Sequence, residues 1–354
     1  MRANRCFAAI ALTAVFCLAR VTPAAAREHG CEFTPTDASW VQTALDGWEL
    51  VRRDFLKVAA RPLPWIVLYD ASCIWHLAPT DPRLLVDTRP IAAPLSFAGA
   101  PLEVLAVRHG GTVLLPNRVE IPIEIKASTA LYRNGRSSFL VMAMPSVWRR
   151  RPFLHEYLQG VFSHELVHTR QLVNINRRLR QLITGIDVPG RMNDDVIQAR
   201  FQKEPGFARA FERERDLFYK AAGASDSLHR RDLVLKALAL ARDRHARYFS
   251  GDNAVYAEIE GLFLTMEGMG QWAAYKLTKA RGQLGPSDAV ALNLVRDDRR
   301  YWSQDAGLAL FLLIDAMVPG WQERVVDTLP PSPYQLLEEA LKNVNSQSPT
   351  SGGS

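Results

Sequence analysis

One stretch restricts what this chain can fold into more than any other: Val161-Phe162-Ser163-His164-Glu165-Leu166-Val167-His168-Thr169-Arg170. Its two histidines stand four residues apart, and on an α-helix such positions lie one above the other on the same face. Leu154, Leu158, Val161, Phe162, Leu166, Val167 and Leu172 recur around them at helical spacing. The pattern predicts one helix over 153–179, with Pro152 suited to its first turn and the histidines near its middle. Both imidazoles can then reach a single metal ion, and Glu165 stands beside it. Where the ion is a zinc with an open position, it acidifies a water and the neighbouring glutamate takes the proton.

The start of the chain limits the setting. Basic Met1-Arg2-Ala3-Asn4-Arg5 leads into a mostly apolar run of about a dozen residues, then Ala24-Ala25-Ala26. That is the form of a secretory signal peptide over 1–26. The apolar run falls short of the roughly 20 residues a spanning helix needs. An exported chain, periplasmic or secreted and with no transmembrane segment once mature, is therefore expected. Loss of Arg2, Arg5 and Arg20 lowers the net charge from +6 to +3, and export removes most reason to expect a nucleic-acid partner. Arg149-Arg150-Arg151 and Arg177-Arg178-Leu179-Arg180 read as solvated helix faces, with an acidic ligand as the alternative. Cys31 and Cys73 are the cysteines left after the signal, and in an oxidising compartment they are expected to form one disulfide. One bridge is no framework. At 48% hydrophobic residues, stability must come from a core, in one large domain or two intimate subdomains.

Strand signals precede the motif and helix signals follow it. Helical spacing runs over 37–60, and Trp65-Ile66-Val67-Leu68-Tyr69 reads as a buried strand. Residues 79–100, rich in Pro and Ala, read as surface loop. Further strands are expected at 102–107, 112–115 and 121–125. The run Phe139-Leu140-Val141-Met142-Ala143-Met144 then reads as a strand stopped by Pro145; proline cannot donate to a ladder, so the strand is expected at a sheet edge. Loop signals fill 183–205, where Asn193-Asp194-Asp195 is only a weak match to a calcium loop. Helices are expected at 207–222, 232–249, 254–280, 287–296, 301–317 and 333–344. This order reads as α+β, with a signal peptide at 1–26, an α+β subdomain at 27–180, a helical subdomain at 181–345 and a disordered tail at 346–354.

A catalytic zinc has three protein ligands, so a third should lie downstream. Glu258, Glu260 and Glu267 share one helix. Glu267 follows the apolar run Leu262-Phe263-Leu264-Thr265-Met266, and a buried carboxylate is unfavourable unless paired or bound to a cation. Gly268 and Gly270 each weaken a helix interior by about 1 kcal/mol, which suits a place where another helix or a substrate comes close. Glu260 lies two turns earlier, about 10 Å along the axis, so one ion does not bind both. His29, His76, His109, His155, His229 and His245 read as ordinary surface or satisfied positions.

His164-Glu165-Leu166-Val167-His168 followed by Glu267-Gly268-Met269-Gly270-Gln271-Trp272 resembles the gluzincin metallopeptidases. The resemblance covers the motif helix, the strand before it and the third-ligand helix. About a hundred residues separate His168 from Glu267, longer than in the compact members, so a helical insertion over about 183–250 must fold out of the way. The likeness implies a zincin-like fold, a small mixed sheet with the motif helix followed by a mostly helical part. It implies one Zn²⁺ per chain on His164, His168 and Glu267, with Glu165 as general base. It further implies a Tyr or His that stabilises the oxyanion, for which Tyr301 is the first choice and Tyr256 the second. A peptide or protein substrate is expected along the 139–144 edge strand, and Gln271 is a candidate support for a ligand. The resulting expectation is a monomeric exported zinc metallopeptidase. The alternatives are a zincin-fold zinc-binding or sensor protein without activity, or a zinc hydrolase of a non-peptide or cell-wall substrate.

Overall fold

The computed structural model describes residues 30–81, 85, 87–124, 127–184, 194–282 and 287–346. The expected signal peptide, the tail beyond Ser346 and Asn193 lie outside them. The described residues from Cys31 onward gather into one compact unit. It is a mixed α+β structure, with a small sheet before the motif helix and helices after it.

Helix α1 (Pro35–Leu50) starts where Thr34 accepts a hydrogen bond from the Asp37 amide and Pro35 fills the first turn. Cys31, just before it, is bonded to Cys73, with the two Cα atoms 5.6 Å apart, as the pair of cysteines implied. The main sheet uses β1 (Ile66–Tyr69), β2 (Cys73–Leu77), β3 (Arg89–Pro90), β6 (Val104–Arg108), β9 (Ala127–Leu131) and β10 (Ser138–Ala143). Two short hairpins complete the strands: β4 (Ser96–Phe97) with β5 (Ala100–Pro101), and β7 (Thr112–Leu114) with β8 (Glu120–Pro122). The order across the sheet is β3-β6-β2-β1-β10-β9. Only β1 and β10 run parallel, Ile66 opposite Leu140; the other pairs are antiparallel.

Side chains alternate between the faces of a strand, and here both faces are covered. Ile66, Leu68, Leu140 and Met142 join the large core beneath the helices. Trp65, Val67, Tyr69, Phe139, Val141 and Ala143 join a second cluster closed by Val113, Leu115 and Ile121 of the β7–β8 hairpin. Two-sided burial explains why β1 and β10 read as unbroken apolar runs.

The expected edge position of 139–144 is wrong. β10 is an interior strand, and the edge belongs to β9, paired outside it with Leu140 opposite Thr129. Pro145 ends β10 and opens a 3₁₀ turn, where its missing N–H removes no ladder bond. Ala127-Ser128-Thr129-Ala130-Leu131 has neither alternation nor β-branched density, so nothing local marked it; its strand character comes from pairing with β10.

Helix α2 (Leu154–Ile183) carries the motif through 30 unbroken residues, beginning one residue later than expected, after Phe153 in a left-handed conformation. It lies on β9 and β10. Then follow α3 (Val196–Phe201), α4 (Pro205–Ala222), α5 (Ser227–Tyr248), α6 (Val255–Arg281), α7 (Asp288–Arg296), α8 (Trp302–Met317), α9 (Trp321–Val325) and α10 (Pro333–Ser346). Helix α6 is buried on every side from Ile259 to Gly270, the condition of a central helix. It packs antiparallel on α2: Gly160 sits against Ala274, and Arg178 pairs with Glu258 at the other end. Against α8 it comes to backbone contact, since a Cβ on Gly268 would lie 2.5 Å from the carbonyl carbon of Gly307. None of the described helices is long and apolar enough to cross a membrane.

The Gly268–Gly307 contact generates a test. Alanine is the better helix former by about 1 kcal/mol, yet Gly268→Ala is expected to lower stability by about 1–3 kcal/mol because the added methyl overpacks a backbone contact. Denaturant unfolding midpoints measure it, and an unchanged or raised midpoint would show that the helices do not touch there.

Candidate metal centre

The α2–α6 crossing builds the site. His164, His168 and Glu267 are 6%, 5% and 3% exposed. Glu267 presents one oxygen to each ring: Oε2 lies 3.2 Å from His164 Nε2, and Oε1 lies 3.2 Å from His168 Nε2. Among the described residues these three form the one cluster of three or more His, Cys, Asp or Glu side chains that could hold a metal ion, with ligand atoms all within 4.8 Å of each other. Donors about 2.1 Å from a tetrahedral ion stand about 3.4 Å apart, so the observed spacing fits one ion. The donor set fits as well, since two imidazoles and a carboxylate suit zinc with one position left open.

Each ligand is held from behind. A Cβ on Gly270 would fall 2.6 Å from His164 Nδ1, so only glycine lets that ring lie against α6. Of the two glycines beside Glu267, one therefore admits a helix and the other a ligand ring. His168 Nδ1 lies 3.2 Å from Gln171 Oε1, an acceptor, which leaves Nε2 facing Glu267. Gln171 is tied in turn to Met269 Sδ at 3.8 Å. The supporting role anticipated for Gln271 thus falls to Gln171, on the same helix as the histidines; Gln271 donates to Gln304 instead. Arg170 anchors α2 just beyond the motif, bonding to Asp327 and to the Ala59 carbonyl.

Glu165 is not part of the ligand group. It is 8% exposed, and its carboxylate accepts a hydrogen bond from Thr129 on β9, Oγ1 to Oε2, at 3.0 Å. The same hydroxyl lies 2.7 Å from the Glu165 main-chain oxygen. Thr129 carried no sequence signal, because its partner is 36 residues away.

Charge in the centre is strongly redistributed. Burial opposes a proton on His168, yet the Glu267 carboxylate, with Glu165 and Gln171, raises its pKa from 6.5 to about 9. Burial likewise opposes ionisation of Glu267, but His168 and His164 hold its carboxyl far below the usual range. Asp194 is pushed up to about 7 by burial, by Glu267 and by Asp195. Asp194 and Asp195 thus stand in the field of the centre, where their sequence suggested only a weak calcium loop.

Glu260, two turns earlier on the same helix face, meets other partners. Arg244 donates to it at 2.8 and 3.0 Å and to Glu214 at 2.9 and 3.1 Å, while His245 Nε2 lies 2.7 Å from Glu260 Oε2. This buried pairing accounts for the second carboxylate of α6 and for His245. Glu258 pairs with Arg178 at the surface. Tyr301 precedes α8 with the Arg300 guanidinium 5.2 Å from its ring centre, and Tyr157 is pushed up to about 12 by burial first, then by Asp297, with Tyr301 a smaller contributor. None of the described contacts of Tyr301 is to the three ligands. Tyr256 is buried against Phe201 and Phe249, a packing role. His76 accepts from Trp65 Nε1 at 3.1 Å, and burial lowers its pKa to about 4.

No protein-family model matches the chain, and no curated protein or solved structure matches it either.

Two outcomes test this geometry. Glu267→Gln is expected to abolish metal binding in a folded chain, whereas Glu260→Gln keeps the metal and loses about 3 kcal/mol by leaving Arg244 short of a partner; metal analysis with unfolding curves separates them, and the reverse pattern would reassign the third ligand. The second concerns pH. Between 6.5 and about 9 the metal-free folded chain holds a proton on His168 that the unfolded chain has lost. That stabilisation is complete below 6.5 and disappears as pH rises through 9. A ligating imidazole must give the proton up, so Zn²⁺ affinity by calorimetry should climb about tenfold per pH unit and level off near 9. Constant affinity across that window would rule out the proton on His168.

Proposed function

We propose that the chain is an exported zinc-dependent peptidase of zincin-like fold, related in mechanism to the gluzincins. The observation that carries this reading is the division of labour at the α2–α6 crossing. His164, His168 and Glu267 form the metal group, while Glu165 between the histidines is kept out of it and hydrogen-bonded by Thr129. A purely structural metal site has no use for a buried carboxylate set aside in this way.

His164, His168 and Glu267 would hold the ion. Bound there, zinc supplies Lewis acidity, acidifying a water molecule to a pKa of about 7 and polarising a carbonyl. Glu165 takes the proton of the attacking water on its carboxylate and delivers it to the departing amine. Gln171 keeps the His168 ring turned so that Nε2 is its ligand atom.

The substrate reading moves with the sheet edge. Tyr132 N donates to Ser137 O, which with the β9–β10 register turns the main-chain groups of 128, 130 and 132 inward. Those of Ala127, Thr129 and Leu131 point outward, and Asn117 Nδ2 accordingly reaches Leu131 O at 3.3 Å. An extended peptide added along β9 pairs with Ala127 and Thr129, directly beside Glu165. Electrophilic support from Tyr301 stays part of the proposal as the residue to be tested.

Incubation with a proteome-derived peptide library, read by mass spectrometry, decides the matter. The wild-type zinc form is expected to cleave and Glu165→Gln to retain zinc while losing at least about 10²-fold in rate. Equal cleavage by both, or none by either, would end the peptidase reading.

A further inference from the structure

We infer that Thr129 is a positioning residue that sets the place of the Glu165 carboxylate. The inference rests on the role just proposed for Glu165 and adds a residue to it.

Three observations meet at this position. The Thr129 hydroxyl lies 3.0 Å from Glu165 Oε2 and 2.7 Å from the Glu165 main-chain oxygen, so its single proton is shared between the side chain and the backbone of the motif glutamate. Among the described residues, the Oγ1–Oε2 contact is the hydrogen bond shown to the Glu165 side chain. Next, β9 is the edge strand, and its register turns the Thr129 N–H and C=O away from β10. Leu131, the next outward residue, has its carbonyl engaged by Asn117, so among the described residues Ala127 and Thr129 are the places where an added strand can pair. Finally, Thr129 is β-branched and sits opposite Leu140, a fully buried residue of β10, so its χ1 is restricted and its hydroxyl direction follows the backbone.

One residue thus meets a bound strand with its main chain and the base with its side chain. The ladder with β10 fixes the φ and ψ that aim Oγ1, and Oγ1 in turn holds the carboxylate. Valine has the same shape without the hydroxyl, serine has the hydroxyl without the methyl, and together they isolate the interaction.

The experiment compares wild type, Thr129→Val, Thr129→Ser and Thr129→Ala. Crystal structures of the metal-free proteins give the first readout: the Glu165 carboxylate is expected to leave its position by about 1 Å or more in the valine and alanine variants and to keep it in the serine variant. Zinc per chain should be the same in all four. On a peptide cleaved by wild type, kcat should fall about 10²-fold in Thr129→Val with KM within about twofold, and Thr129→Ser should recover most of the loss. A structural role alone would lower thermal stability without this kcat-specific loss or the serine rescue. An unmoved carboxylate in Thr129→Val, or a serine variant as impaired as valine, overturns the inference. If wild type cleaves no peptide, the peptidase reading fails, and the carboxylate positions still decide the role of Thr129.

Discussion

A carboxylate in the middle of an apolar helix has to be matched by positive charge, and the second half of this fold is arranged around that demand. Glu267 sits on a helix buried on all sides, where an unpaired negative charge is strongly unfavourable. The two rings of α2 answer it, one against each oxygen. That match fixes the separation and register of α2 and α6, and the small residues follow from it: Gly160 lets the helices close up, Gly270 makes room for a ring, and Gly268 lets α8 press in behind. The same problem is solved seven residues earlier by a different cation, because Glu260 is met by Arg244, with Phe207, Phe211 and Phe249 around the guanidinium. One helix face therefore carries two buried acids, one neutralised wholly by protein and one suited to an ion.

What could be seen in advance depended on how local the signal was. Two histidines four apart state their own geometry, and the strands β1 and β10 advertise two-sided burial through unbroken apolar runs. The contrast between Glu260 and Glu267 was not local. Both are glutamates on the same face, and the difference lies in what stands opposite, Arg244 of α5 for one and the histidines for the other. The edge strand was hidden for a related reason. Five small or polar residues at 127–131 become a strand only because β10 offers a ladder, so the proline after β10 suggested an edge where the interior lies.

The support around the centre was the least legible part. Gln171 and Gln271 both lie close to a ligand candidate in sequence, and only rotation about their helices decides that the first meets His168 and the second Gln304. Thr129, Asp194 and Asp195 come from segments whose composition says little, and they matter through distance from Glu165 and Glu267 alone. Residues that act directly on a metal or a proton are few in type and recognisable, whereas the residues that aim them are ordinary until placed.

The contact between Gly268 and Gly307 has a mechanical consequence. Where two helices meet main chain to main chain, no side chain is present to change rotamer and take up movement. The wall of α6 and α8 behind Glu267 is therefore the stiff side of the centre. Any give around the three residues has to come from the opposite side, where Thr129 of the edge strand β9 meets Glu165.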